Sequence, residues 1–197
     1  YGRADPLADT CEQMVSTNDL SGLPSPDAVR DAMRYSAMLD VVLCDSQWLR
    51  CYDFQPSWSD YVSMAKYGNG GGNDMFAFFR GTDAIIKGFD HESPVSPHAR
   101  DPFGVWPGIY DGAPMILDEL LDDPAVQRDD VTFCIWYASR QWHCGTMTFS
   151  DGEDDGSSLL LGAIRLVPDS YCNWARGYYE CDLDTALVAK VYSGARM

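Results

Sequence analysis

The sequence predicts an α+β protein in which helices flank a central, mostly antiparallel sheet. In the middle of the chain, short apolar segments are separated by turn residues, as in successive β-hairpins. Nearer the two ends, apolar residues recur at helical spacing. Helices packed on an antiparallel sheet define the α+β class. The chain shows no repeat of about 20–50 residues, which argues against a solenoid or propeller.

The first 25 residues are polar, so we expect residues 1–25 to form a loosely ordered N-terminal arm. The length of the chain suits one domain, and we place a single α+β domain over residues 26–197. Its first helix is expected to begin at Pro26 with Ser25 as N-cap, because proline is tolerated in the first turn. The residues expected to face the core repeat at helical spacing: Val29, Met33, Ala37 and Val41.

The next part of the chain mixes alternating and glycine-rich segments. Alternation of large side chains from Trp48 to Phe54 is typical of a strand. Three consecutive glycines, Gly70 to Gly72, favour a loop over a regular element. In order, the predicted elements are a strand over 48–54, a short helix or irregular turn over 58–66, a loop over 68–73, and the strands of a hairpin over 75–80 and 84–89.

The second half of the chain contains the clearest strand, over 131–137, where β-branched and aromatic residues predominate. Four prolines between residues 93 and 107 indicate an extended loop before it. The other predicted elements are a short helix over 114–121, a hairpin partner over 142–149, an acidic turn over 151–156, a helix (alternatively a strand) over 158–167, and a helix over 182–192 capped by Asp182.

Charge is the strongest functional signal. The chain has 30 Asp and Glu residues against 14 Lys and Arg, a formal net charge of −16, and it also has 11 Tyr, 8 Phe and 6 Trp. The aromatic content indicates a folded domain and not an acidic tail. A field of this sign repels nucleic acid and anionic membranes and attracts basic proteins. We therefore expect a basic protein partner, and neither nucleic acid nor membrane.

The cysteines bear on the cellular compartment. There are seven, an odd number, and no pair has the C-x-x-C spacing. This pattern favours a reducing environment and a cytoplasmic location, with an oxidised fold as the alternative.

The acids are concentrated in clusters, and these clusters are the predicted partner-binding surface. A run of like charge is more often a solvated face, but several clusters in one strongly acidic chain favour a functional surface. Trp106 is added as an aromatic anchor, since Trp is enriched at the energetic centres of interfaces. The predicted contact residues are Asp118, Glu119, Asp122, Asp123, Asp151, Glu153, Asp154, Asp155 and Trp106.

An enzymatic alternative uses Asp90, His91 and Glu92, which follow a predicted strand. A histidine between two acids can serve as a general base whose tautomer a carboxylate holds. Alternation opposes this reading, because His91 faces away from both acids if the strand continues. The chain has no G-x-S-x-G, H-E-x-x-H or phosphate-loop motif. We therefore expect no catalytic residues, no cofactor and no metal, and keep a small hydrolase as the alternative.

Four strings of residues carry a resemblance to a known family. They are IKGFDHES at 86–93, WPG at 106–108, TFCIW at 132–136 and WARGYYE at 174–180. Together these strings resemble an uncharacterised family of acidic bacterial proteins, over about half of the chain. Proteins of this kind are similar to the immunity proteins of polymorphic toxin systems, which block a cognate toxin domain in the cytosol. The resemblance implies toxin binding and carries over no catalytic residue.

Three hypotheses follow. The first is an immunity-type protein that binds and neutralises a cognate, basic bacterial toxin domain. The second is the small hydrolase, and the third is a structural or regulatory module without a toxin partner.

Overall fold

The computed structural model describes residues 15–149 and 154–194, which contain five α-helices and one six-stranded sheet. The helices are α1 (Pro26–Leu43), α2 (Met115–Asp118), α3 (Ser157–Leu161), α4 (Pro168–Tyr178) and α5 (Thr185–Tyr192). The strands are β1 (Tyr52–Ser59), β2 (Val62–Gly68), β3 (Asp74–Arg80), β4 (Asp83–Phe89), β5 (Phe133–Ala138) and β6 (Gln141–Cys144).

The sheet is an antiparallel meander, in which the spatial order of the strands follows their order in the chain from β1 to β6. The predicted α+β class, with a mostly antiparallel sheet, is therefore confirmed. The β3–β4 hairpin lies where the sequence predicts it, and its turn contains Gly81 at a φ of +60°, which glycine adopts at little cost.

Both faces of the central strands are buried, which explains why β3 and β4 are almost continuously apolar. In β3, Met75 and Ala77 face a core shared with α1 and α3. Phe76 and Phe78 face a second core on the opposite side, which α2 and the segment after it complete. A strand covered on both faces does not need polar residues at alternate positions.

Helix α1 begins at Pro26 as predicted, and Val29, Met33 and Ala37 are buried. The prediction that Val41 faces the core is wrong, because its side chain is exposed. Asp40 is the last buried residue of α1. Val41 lies about 100° from Asp40 around the helix axis, so its side chain points away from the core.

Two predictions before β3 need correction. The chain at Gln47–Leu49 forms a 3-10 turn, and the strand predicted over 48–54 begins only at Tyr52. The segment 58–66, predicted as a helix or irregular turn, instead completes a β1–β2 hairpin. The hairpin is hard to recognise because Tyr61, at a φ of +63°, occupies a turn position that usually holds glycine or asparagine.

The C-terminal helices form a third cluster with α1 and the start of β1. Helix α3 covers the first half of the helix predicted over 158–167, whereas α4 was not predicted. The last helix starts at Thr185 and is capped by Asp184, whose Oδ1 accepts a hydrogen bond of 2.8 Å from the N–H of Ala186. The predicted cap at Asp182 is therefore wrong by two residues.

The described part of the predicted arm, residues 15–25, packs against the domain. Nε1 of Trp142 donates to the carbonyl oxygen of Pro24 at 2.7 Å, and Leu23 is buried in the core beside α1. Residues 1–14 lie outside the described residues, so the prediction of a loose arm is not tested there.

No helix within the described residues has the length and apolar character needed to span a bilayer. Six of the seven cysteines lie in the described part of the chain, and no two of these six form a disulfide; Cys11 lies outside it.

Candidate functional site

The acidic segment 118–130 is organised around the guanidinium group of Arg128. Nη2 of Arg128 donates to both carboxylate oxygens of Asp118, at 2.7 and 2.8 Å, and Nη1 donates to Oδ1 of Asp122 at 2.9 Å. The same group lies over the ring of Tyr110, 4.5 Å from its centroid. Hydrogen bonds from a charged guanidinium group to carboxylates are stronger than hydrogen bonds between neutral groups. Asp118 and Asp122 therefore share one positive charge.

Three other carboxylates of this segment make no ion pair within the described residues. Glu119, Asp123 and Asp129 are exposed, and the basic group of the segment is occupied by other acids. Asp123 also accepts a hydrogen bond of 2.9 Å from the N–H of Ala125 and so caps a 3-10 turn. These three residues leave a local excess of negative charge on the surface.

The second predicted cluster divides between exposed and buried positions. Asp151 and Glu153 lie outside the described residues. Asp154 is exposed, whereas only 3% of Asp155 is exposed, since it accepts hydrogen bonds from the hydroxyl of Thr17 and from the N–H of Ser157. Asp155 thus fastens the N-terminal segment to α3 and does not belong to an exposed acidic surface.

Trp106 lies half-buried beside a shallow cleft of about 410 Å³. The guanidinium group of Arg100 lies 5.3 Å from the centroid of one of its rings. Elsewhere along the cleft, the hydroxyl of Thr146 donates to Asp111 at 2.8 Å. Because Arg100 lies over Trp106, this indole is a less accessible anchor than the sequence suggests.

The three residues of the enzymatic alternative lie in a turn that begins where β4 ends. Nδ1 of His91 lies 2.9 Å from Oδ1 of Asn73, which also accepts the backbone N–H of His91. Asp90 instead accepts the N–H of Glu92 at 3.1 Å. The group that orients the imidazole is therefore an amide, and the structure does not pair His91 with Asp90.

Glu92 is close to His91 but exposed. Its Oε1 lies 3.9 Å from Nε2 of His91, and 83% of the Glu92 side chain is accessible. A contact of this kind is screened by water. Of the three residues, His91 and Glu92 approach each other, and the contacts within the described residues place no nucleophile beside them.

A buried carboxylate that the sequence analysis did not single out joins α1 to β1. Oδ2 of Asp40 accepts the N–H groups of Cys51 and Tyr52, each at 2.9 Å, and Oδ1 accepts the hydroxyl of Tyr171 at 2.7 Å. Removal from water raises the pKa of Asp40, and the hydrogen bond from Tyr171 opposes part of that rise. Every one of these contacts is internal, so Asp40 is a structural group.

A second buried ionic group lies between β3 and β4. Lys87 is fully buried, and its Nζ donates to the carbonyl oxygen of Val126 at 2.9 Å and lies 3.8 Å from Oδ1 of Asp74. Burial lowers the pKa of Lys87 and raises that of Asp74, and each partner opposes the shift of the other. The ammonium group holds the turn around Val126 against the sheet.

The sequence indicates the buried position of Asp40 more clearly than the contacts of Lys87. Asp40 follows Val29, Met33 and Ser36 at helical spacing, so the periodicity of α1 places it on the buried face. Lys87 lies within an apolar strand, but the sequence gives no sign of which loop it contacts.

A comparison with protein families, curated proteins and solved structures finds no match to this chain.

Proposed function

We propose that this chain is an immunity-type protein that binds and neutralises a cognate, basic bacterial toxin domain. One observation carries the proposal: carboxylates exceed basic groups by sixteen, and three carboxylates of one segment, Glu119, Asp123 and Asp129, are exposed and make no ion pair in the described part of the chain. Complementary charge of this kind accelerates encounter with a basic partner and disfavours acidic ones.

The acidic segment is suited to steering a partner more than to holding it. Exposed charges act over about 10 Å at an ionic strength of 0.1 M, and salt weakens them. In this proposal the segment raises the association rate constant, and the predicted contacts at Asp154 and Trp106 are secondary. The compensated pair Asp118 and Asp122 fixes the shape of the surface through Arg128.

The test uses the protein encoded beside the gene for this chain. We expect that protein to be a basic toxin, to bind this chain tightly, and to be harmless to cells that express both. Surface plasmon resonance from 50 to 300 mM salt should show an association rate constant that falls steeply with salt. A neighbouring protein that neither binds nor is neutralised would overturn the proposal.

A charge-matched pair of variants tests the role of the segment. The triple variant E119Q/D123N/D129N should lower the association rate constant at low salt. The control D60N/D101N/D169N removes the same charge from exposed positions on other elements. Equal rate constants for the two variants would show that only the net charge matters.

The hydrolase alternative has less support, because Asp90 binds backbone and not His91. The variant His91→Ala should therefore neutralise the toxin as well as the wild type does. Loss of a measured hydrolytic activity in this variant, at unchanged stability, would favour the alternative.

A further inference from the structure

Exposed apolar side chains are concentrated where α1 ends and β1 begins. Of the fourteen large apolar residues that are exposed in the described chain, five fall between Met38 and Leu49. Trp48 is the most accessible of the five, with 83% of its surface exposed, on a 3-10 turn that has no buried residue. Exposed apolar side chains concentrated in one part of a soluble protein are candidates for an interaction site. The five residues are Met38, Val41, Val42, Trp48 and Leu49.

The turn that carries Trp48 is held in place from both sides. Nε of Arg50 donates to the carbonyl oxygen of Cys44 at 2.8 Å, which closes the turn on the end of α1. The hydroxyl of Tyr178, at the end of α4, donates to the carbonyl oxygen of Leu49 at 3.0 Å. A group that is already ordered loses less entropy when it binds, so this arrangement suits an anchor.

A groove of about 270 Å³ lies beside the turn, between α1 and the open edge of β1. Met38 and Val41 line its helix side, and Tyr52 and Phe54 line its strand side. Gln47, the residue before Trp48, also lines the groove, together with Arg34, Arg50 and Asp53, so the groove is mixed in polarity.

Acidic residues border this area. Asp45 and Asp53 are exposed on either side of the turn, and Glu180 is exposed two residues beyond Tyr178. None of the three makes an ion pair within the described residues. The two nearby arginines are engaged, since Arg34 approaches Asp31 at 3.5 Å and Arg50 donates to main-chain carbonyls. An apolar centre with a charged border is the usual anatomy of a protein interface.

We infer that this Trp48 surface, defined by Met38, Val41, Trp48, Leu49 and Tyr178 with Asp45, Asp53 and Glu180 at its border, is the docking face for the basic toxin domain. The inference rests on the proposed function. Trp48 enters an apolar pocket of the partner, and the bordering carboxylates contact its basic side chains.

Charge complementarity selects this occupant over a second copy of the chain. Two copies would each bring a net charge of −16 and would set the same three carboxylates against one another. A basic domain with an apolar pocket complements both the apolar centre of the surface and its acidic border.

The test compares dissociation rates for the toxin encoded beside this gene. Trp48→Ala should raise the dissociation rate constant about tenfold or more, with an unchanged melting temperature, because the side chain is exposed and supports no core. Tyr61→Ala is the matched control, since Tyr61 is 93% exposed at the opposite end of β1 and should have no effect. Hydrogen exchange should show slower exchange of peptides spanning 44–54 in the complex.

Other outcomes distinguish the inference from the proposed function. If the wild-type chain binds the toxin and Trp48→Ala dissociates at the wild-type rate, the inference fails and the proposed function stands. If the wild-type chain does not bind it, the proposed function itself fails. A dimer of this chain that is detected by analytical ultracentrifugation and lost in Trp48→Ala would assign the surface to a second copy and overturn the inference.

Discussion

The carboxylate of Asp40 on α1 accepts a hydrogen bond of 2.7 Å from the hydroxyl of Tyr171 on α4, which lies 131 residues further along the chain. The other carboxylate oxygen accepts both N–H groups where β1 begins. One buried side chain thus joins two helices and the edge of the sheet. Because each donor would be buried without a partner in its absence, this contact should contribute more than an ordinary hydrogen bond.

The first prediction concerns removal of that carboxylate. Asp40→Ala leaves three donors without an acceptor and should lower the free energy of unfolding by about 3–5 kcal/mol. Asp40→Asn keeps one acceptor oxygen for the strand N–H groups and should cost less. Urea unfolding of both variants measures the difference. A loss below about 1 kcal/mol for Asp40→Ala would contradict the structural role.

The second prediction is a pH dependence. Because burial raises the pKa of Asp40, the folded chain binds this proton more tightly than the unfolded chain does. The resulting stabilisation is complete below the unfolded pKa of about 3.9 and is lost as the pH rises through the raised folded pKa. The free energy of unfolding of the wild type, relative to Asp40→Asn, should therefore fall as the pH rises through that range. A series of urea titrations would show it, and a difference independent of pH would refute it.

Elements with local signals can be predicted from this sequence. The β3–β4 hairpin has apolar strands on both sides of Gly81, and α1 has a proline at its start and regular apolar spacing. Helix α4 also begins with a proline, but it spans only 11 residues and Gly177 lies in its last turn. Its buried residues, such as Tyr171, are stabilised by α1 and β1 from distant parts of the chain.

Surface residues are harder to predict than elements, because their accessibility depends on where elements end. The alternation from Trp48 to Phe54 predicts a strand, yet the strand starts at Tyr52 and leaves Trp48 exposed. Composition identifies the acidic segment 118–130, but not the pairing of Asp118 with Arg128, which needs the chain to turn back on itself. The sequence therefore shows where the charged residues are, but not which of them form ion pairs.

The third prediction concerns the ion pair between buried Lys87 and partly buried Asp74. Asp74→Asn leaves a buried ammonium group with one carbonyl acceptor, and we expect it to cost about 3 kcal/mol. Lys87→Met removes the buried charge but leaves Asp74 unpaired. The loss of unfolding free energy in the double variant should therefore be smaller than the sum of the losses in the two single variants, by about 1 kcal/mol or more, because neither charge remains. Denaturant unfolding of all four proteins gives this coupling energy, and additivity within about 0.5 kcal/mol would show that the pair is not coupled.

The fourth prediction concerns the β5–β6 turn. Ser139 and Arg140 have φ angles of +53° and +68°, and the pairing of Ala138 with Gln141 makes them the two central residues of a tight hairpin turn. Positive φ at both positions is the conformation that Asn-Gly adopts most readily. Glycine at the second position avoids the Cβ strain of about 1 kcal/mol that another residue incurs there.

The double variant S139N/R140G should therefore raise the free energy of unfolding by about 1 kcal/mol, or the melting temperature by about 2–4 °C. Gly81→Ala is the opposite change at a positive φ in the β3–β4 turn, where open space surrounds the added Cβ, and it should lower the stability by a similar amount. Differential scanning calorimetry measures both effects. If S139N/R140G melts below the wild type, then side-chain contacts of Ser139 or Arg140 outweigh the backbone strain.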